Sequence, residues 1–374
     1  MSPATFDSDS RLMIFAPHPD DESLACSIIL QRAVRAGAAI RVVYATDGDD
    51  NPWPQRLLEH KWRLNAVDRK RWGKLRRAEA LAALRVLGVQ PSSARFLALP
   101  DQMLTRLLTC HCEPILERFA AIISDYAPTH VLIPSVADTH PDHNALAVML
   151  RLVWINLIPD KTRVSLWSYA VHGRSSAFFH RAQELREFET EKIVKLQAIR
   201  CHKTQLKLSR RRFLKYAARH EALLRLDTQD AIAADGSIRS LSRQPAALNL
   251  RLKLLMKPVR PVDPTVFVLG NAVTGALQCV SIRLPMRPSH PEISDCSTGR
   301  RLDSARYNGN AFAGDLIVPL DRFSAERPLF VKLERRSWFF DEAGWVEVRP
   351  GAQLDQIFAK APSSLAFGTV VDCK

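Results

Sequence analysis

Over the first 225 residues, short unbroken apolar runs alternate with stretches whose apolar positions recur at helical spacing. Residues 12–16 form a run of strand length. In 23–36, Ala25, Ile28, Ile29, Ala33 and Ala36 fall at helical spacing, and Gly37 stops the pattern. Residues 40–45 read as a strand ending in the turn-like Thr46-Asp47-Gly48-Asp49. A long polar and basic region leads into a helix over about 76–87, closed by Gly88. Strand 95–99, helix to about residue 126 and strand 131–134 come next. A helix from near His143, burying Leu146, Met149, Leu150, Val153 and Leu157, precedes strand 164–171 and helix 182–200. Such alternation predicts an open, doubly wound α/β domain with a mostly parallel sheet, its site beyond the carboxyl ends of the strands.

The pattern changes past residue 225. Residues 227–245 are polar and loop-like. Runs at 266–269, 277–284, 316–320, 329–333 and 345–348 then resemble short strands separated by Pro, Asn, Gly and Asp. The expectation is one α/β domain over 1–225, then a linker and a smaller all-β domain over 226–374, for which a sandwich is one solution.

Composition adds limits. The 374 residues are 47% hydrophobic and 25% charged, as in an ordinary globular protein with ample core. No apolar stretch reaches the roughly 18 residues of a spanning helix, because Arg151 interrupts the best candidate at 146–158. The polar first residues show no secretory pattern. Seven scattered cysteines, an odd number, do not suit a disulfide-stapled secreted scaffold. Cys110-His111-Cys112 has no second pair at zinc-site spacing and reads as incidental. A reduced cytoplasmic protein is the expectation.

Two clusters carry candidate chemistry. Pro17-His18-Pro19-Asp20-Asp21-Glu22 follows the first strand, and His140-Pro141-Asp142-His143 follows the strand at 131–134. Both loops lie at the reactive edge of the predicted sheet. A catalytic zinc site takes three nitrogen or oxygen ligands and keeps one position open, and this inventory meets that need. Helix-capping carboxylates and surface histidines account for either cluster alone, but poorly for both in this position. Glu22 is assigned to the start of the following helix and Asp47 and Asp49 to a turn, while His130 and His172 are candidates to line the crevice but, as lone histidines beside strands, read as structural.

The PHPDDE and HPDH segments together resemble the N-acetylglucosaminyl-phosphatidylinositol de-N-acetylase (PIG-L/LmbE-like) family over roughly residues 10–220. Supporting matches are Arg76-x-x-Glu79, Leu87-Gly88-Val89, Leu99-Pro100-Asp101, Lys195-x-x-Ala198 and His202-x-x-Gln205. The resemblance implies a Rossmann-like fold and a metal-dependent hydrolase that removes the N-acetyl group from an amino sugar. It further implies that His18, Asp21 and His143 bind the metal and that Asp20 is the general base. His140 would be a cationic electrophile or acid oriented by Asp142, and Arg76 and Asp101 would contact sugar hydroxyls. Zinc is the expected ion, with iron(II) an alternative for the same ligands.

The net charge of +14 concerns partners rather than fold. Basic residues gather at 56–77 and 200–219, which suits anionic lipid head groups or a phosphorylated glycan carrier. That predicts a lipid- or nucleotide-linked substrate and a peripheral place at the inner face of a membrane. Rival readings are an amidase acting on another amide, such as a thiol conjugate, and a non-catalytic basic binding protein. No nucleic-acid module is recognisable, so no nucleic acid is expected.

Overall fold

The computed structural model describes residues 5–158, 164–173, 176–226, 236–254, 264–310, 312–337 and 340–355. In chain order its first part is β1 (Arg11–Ala16), α1 (Asp21–Ala25), α2 (Ser27–Arg35), β2 (Ala39–Thr46), α3 (Pro52–Glu59), α4 (Ala66–Val86), β3 (Ala94–Leu99), α5 (Leu104–Cys110) and α6 (Glu113–Tyr126). It continues with β4 (His130–Pro134), α7 (Pro141–Asn156), β5 (Ser165–Tyr169), α8 (Ser176–Arg181), β6 (Gln183–Glu184), α9 (Glu189–Cys201), α10 (Lys203–Ala217) and β7 (Ala222–Arg225). The strands form a seven-stranded sheet in the order β3-β2-β1-β4-β5-β7-β6. It is parallel from β3 to β5, and β7 and β6 close it as an antiparallel edge.

Alternation along β1 explains the layers. Leu12, Ile14 and Ala16 enter one core with α1, α2, α4 and α9, while Met13 and Phe15 enter another with α5, α6 and α7. The chain runs outward from β1 to β2 and β3, then returns to β4 on the other side. Loops leaving the carboxyl ends of β1 and β4 therefore face one crevice, the switch point of an open α/β sheet.

Several local expectations are corrected. The helix foreseen over 23–36 breaks at Cys26 (φ −130°, ψ 9°), which separates α1 from α2. The polar region after residue 50 contains α3 and the first turns of α4. Asn65 and Asp68 form a capping box that starts α4 well before Arg76. The helix foreseen over 182–200 starts only at Glu189, and the basic stretch after it is helix α10. Leu157 is 41% exposed rather than in the core.

The later part contains β8 (Ile238–Arg243), β9 (Ala247–Lys253), β10 (Thr265–Asn271), β11 (Leu277–Arg283), β12 (Glu292–Asp295), β13 (Arg301–Ser304) and β14 (Arg306–Gly309). Then come β15 (Ala313–Pro319), β16 (Leu329–Glu334), β17 (Arg336–Ser337), β18 (Phe340–Asp341), β19 (Val346–Val348) and β20 (Gln353–Asp355). Two antiparallel sheets result, β13-β12-β11-β10-β16-β19 and β14-β15-β9-β8-β20, plus the β17–β18 pair. Leu248, Leu250, Leu252, Leu316 and Val318 of one share a core with Val266, Val268, Val280 and Ile282 of the other, as in a sandwich. The loop expected over 227–245 is overturned where β8 lies, since its Ser- and Arg-rich sequence hides a strand; residues 227–235 fall outside the described residues.

Helix α7 joins the two parts. It is buried from Pro141 to Trp154, because the β-rich region covers the side that the sheet leaves open. The backbones meet at Gly344, where a Cβ would stand 2.0 Å from the Val136 carbonyl oxygen. Arg151, the charge within the apolar run, pairs doubly with Glu347: Nε to Oε2 at 2.9 Å and Nη2 to Oε1 at 2.8 Å. Among the described residues no helix is long and apolar enough to cross a membrane.

Removing one partner strands a buried charge, whereas replacing both does not. Arg151→Met should therefore cost about 3 kcal/mol in urea unfolding, and adding Glu347→Leu should recover most of it. A loss below about 1 kcal/mol for the single variant would show that this pair behaves like a surface one.

Candidate metal centre and active site

The loop after β1 turns sharply at Asp20, whose φ of 155° and ψ of −23° are disfavoured for a residue with a side chain. Its surroundings hold it there. Ser23 and Leu24 N–H groups donate to the Asp20 carbonyl at 2.9 and 3.0 Å, and the Asp20 N–H donates to Glu22 Oε2 at 3.0 Å. Glu22 also accepts from Ser23 Oγ at 2.6 Å and stands 3.3 Å from His202 Nε2. The role of Glu22 is thus to fasten the loop and the start of α1.

With the loop so fixed, His18 Nδ1, His143 Nε2 and Asp21 Oδ2 converge. The histidine nitrogens are 3.2 Å apart, and Asp21 Oδ2 lies 3.5 Å from His18 and 3.3 Å from His143. Ligands 2.0–2.1 Å from a tetrahedral ion would be separated by about 3.3 Å, so the three edges fit such an ion. The second nitrogen of each ring faces a carboxylate: His18 Nε2 is 3.1 Å from Asp101 Oδ1, and His143 Nδ1 is 3.2 Å from Asp138 Oδ2. Carboxylates so placed orient imidazole ligands. Sequence reasoning missed Asp138, which also accepts the N–H groups of His140, Val171 and His172.

Five buried carboxylates, Asp20, Asp21, Asp101, Asp138 and Asp142, gather here with the Arg76 guanidinium. That excess of negative charge favours a cation. Burial would lower the His18 pKa, yet Asp101, Asp142 and Asp21 outweigh it and raise it well above the usual imidazole range. Burial would likewise raise Asp21, but His143 and His18 hold it well below the ordinary carboxylate value. Asp20 differs. Burial, assisted by Asp21 and opposed by Arg76, pushes its carboxyl up to about 6.

Arg76 and Asp101 line the cleft, each held there by bonds within the chain. Arg76 donates to Asp20 Oδ2 and the Pro19 carbonyl, both at 3.0 Å, and to the Gly48 carbonyl at 2.7 Å. A Cβ at Gly48 (φ +62°) would stand 1.6 Å from that guanidinium, so glycine leaves room for the arginine. Besides facing His18, Asp101 accepts the Asp50 N–H at 2.7 Å.

Asp142 also departs from expectation. It accepts the Gln102 and Leu104 N–H groups at 2.7 and 3.1 Å and stands 3.4 Å from His18 Nε2. The contact with His140 runs the other way: His140 Nδ1 accepts the Asp142 backbone N–H at 3.2 Å. Burial and the neighbouring His143 and His18 push the His140 pKa well down. With Nδ1 accepting that bond, a neutral ring carries its proton on Nε2.

His172, for which the sequence leaves both a structural and a crevice-lining place, reaches the cleft, where its ring centroid lies 4.9 Å from that of His143. Its Nδ1 is 3.1 Å from the Tyr216 hydroxyl, and burial pushes it down to about 3. By contrast His130 sits at the opposite end of β4, against Thr129, and Asp47 pairs with Arg77 at 2.6 Å. Among the described residues every group of three or more closely spaced metal-ligating side chains lies in this site, and none includes Cys110 or Cys112. The centre opens into a cleft of about 150 Å³, lined also by Arg212 and by Phe340 from the β-rich region.

The cleft's two loops fall within a recognisable sequence family. Residues 13–154 match the PIG-L family, described as GlcNAc-PI de-N-acetylase. A 1D-myo-inositol 2-acetamido-2-deoxy-alpha-D-glucopyranoside deacetylase of Mycobacterium avium (strain 104) is 31% identical over 147 residues, covering 36% of this chain and 47% of the relative. A protein of the same description from Mycolicibacterium vanbaalenii is 25% identical over 243 residues, 54% of this chain and 82% of that one. The chain thus spans about half the length of the first of these relatives. Among solved structures, N,N'-diacetylchitobiose deacetylase from Pyrococcus horikoshii has a TM-score of 0.45 at 17% identity, covering 58% of this chain and 84% of that one. By sequence, then, the likeness to the PIG-L family lies in residues 13–154, the stretch that carries both loops of the cleft.

Proposed function

We propose that this chain is a metal-dependent hydrolase that removes the N-acetyl group from an N-acetylglucosamine-type sugar in a glycoconjugate. The convergence of His18 Nδ1, Asp21 Oδ2 and His143 Nε2 beside Asp20 carries this reading. The family description and the names of the curated relatives, deacetylases of a 2-acetamido-2-deoxyglucopyranoside, support the substrate class. Zinc suits the donor set, and iron(II) suits it as well. Residues 1–225 are proposed as the hydrolase unit and 226–374 as a linker with a β-rich accessory region. Free cysteines support a reducing, cytoplasmic setting.

A divalent ion in this centre would polarise the acetyl carbonyl and make water a better nucleophile. The protein supplies the proton traffic. Asp20 accepts the proton of the attacking water as its oxygen bonds to the carbonyl carbon, and returns it to the nitrogen as the C–N bond breaks. Arg76 keeps that carboxylate aimed. His140, neutral and fixed by the Asp142 N–H, directs Nε2–H at the developing oxyanion. The role foreseen for a cationic His140 becomes that of a neutral donor, with Asp142 acting through its backbone.

The basic stretch at 56–77 is largely engaged in pairs, Lys61 with Asp68, Arg69 with Asp50, Arg71 with Glu59 and Arg77 with Asp47. Among the described residues Lys207, Arg210, Arg211 and Lys215 of α10 meet no acidic side chain. That supports α10 as the face for an anionic carrier or head group, and flotation with anionic liposomes at physiological salt should depend on these four. Flotation unchanged after their replacement by glutamine, or absent in the wild type, removes the membrane proposal.

Purified protein should release acetate from N-acetylglucosaminides, lose this in chelator and regain it with zinc or iron(II). Asp20→Asn should lower kcat by about 10²–10⁴-fold while keeping bound metal; full activity in metal-free protein would overturn the proposal. Because Asp20 must be deprotonated, kcat/KM should fall as pH drops through about 6, or through a lower value once a cation sits beside it. The limb should vanish in the residual activity of Asp20→Asn, and its persistence there would assign it to another group.

A further inference from the structure

We infer that the β-rich region supplies one wall of the active site, where Phe340 and Arg212 together form the subsite for the aglycone and favour one bearing an anionic group. This rests on the hydrolase reading above. The Phe340 ring centroid lies 5.6 Å from that of His140 and 5.3 Å from that of His172, edge-on to both. The Arg212 guanidinium carbon is 5.1 Å from the Phe340 centroid, over the ring. Arg212 extends from α10 three residues past a bend at Ser209 (φ −126°, ψ 31°), which itself lines the cleft.

A buried network sets the position of Phe340 relative to the metal loop. The neighbouring Asp341 donates its N–H to the Thr139 carbonyl at 2.8 Å. Its carboxylate accepts from Asn144 Nδ2 at 3.0 Å and from Lys332 Nζ at 2.5 Å. Asn144 also accepts from Lys332 at 3.2 Å and donates to the Asp138 carbonyl at 3.0 Å. Lys332, Asp341 and Asn144 are all buried. The segment 138–144 that carries His140 and His143 is therefore bonded directly to the strand that carries Phe340. Breaking such a network is costly, so its geometry is maintained.

The wall has a definite chemistry. Phe340 offers an apolar surface at the rim of a polar cleft. Arg212 offers a guanidinium that meets no acidic side chain among the described residues, and its charge is felt at His140 and His172. A fixed cation beside an aromatic ring suits a sugar whose substituent carries phosphate or carboxylate.

The test compares N-acetylglucosamine 1-phosphate with methyl N-acetylglucosaminide, by acetate release and by calorimetric binding to metal-loaded protein. Wild type should favour the phosphate in kcat/KM. Arg212→Gln should reduce that preference about tenfold, as for loss of one charge-assisted contact, and Arg212→Lys should restore part of it. Phe340→Ala should raise KM for both sugars with little change in kcat. Metal content and unfolding midpoint check that each variant is folded. If neither sugar is hydrolysed but Arg212→Gln and Phe340→Ala still weaken binding of the phosphate, the subsite stands and the hydrolase reading falls. If wild type hydrolyses both without preference, or hydrolyses them and neither variant changes preference, KM or binding, the subsite is overturned and the hydrolase reading stands; if neither sugar is hydrolysed and neither variant changes binding, both fall.

Discussion

Two loops far apart in sequence must bring two imidazoles and a carboxylate within 3.2–3.5 Å of one another, and much of the buried polar structure serves that meeting. The sheet makes it possible because β1 and β4 are parallel neighbours at the point where the strand order reverses, so that both loops leave the same edge. Packing alone would not finish the job. Each ring must also be turned, and Asp101 and Asp138 face the nitrogens that point away from the centre.

The same constraint explains why so much charge is buried. Asp20 occupies a strained backbone conformation because three hydrogen bonds over-determine it, and Glu22 in turn meets His202 at the start of α10. Helix α4 contributes Arg76 to Asp20 and, one turn on, Glu79 to the Thr204 N–H and hydroxyl. The helix that holds the Asp20 carboxylate is thereby tied to the one that bounds the cleft. A carboxyl held near 6 and an uncharged imidazole then arise in one small space, since burial raises the acid and lowers the base.

Much of this was legible in the sequence. The 12–16 run, the PHPDDE loop and the HPDH loop placed the candidate donors at strand ends, because apolar runs and strand-end loops are local features. Segments whose structure depends on distant partners were less visible. The polar start of α4 is held by its cap and by Asp47 and Asp49 packing against Gly73, and β8 is a strand only because β9 and β20 flank it. Asp138 looked like an ordinary loop aspartate, and nothing local marks its hold on His143. Arg151 broke an apolar pattern without revealing Glu347, and Phe340 lies 200 residues from His140 and 168 from His172, the histidines it meets.

The central claim is that one divalent ion sits among His18, Asp21 and His143. Anomalous diffraction at the zinc edge from crystals of zinc-loaded protein addresses it directly. One peak about 2.0–2.1 Å from His18 Nδ1 and His143 Nε2, and 2.0–2.2 Å from an Asp21 oxygen, is predicted. A peak bound by other residues, or none at this point with zinc bound elsewhere, would contradict the account.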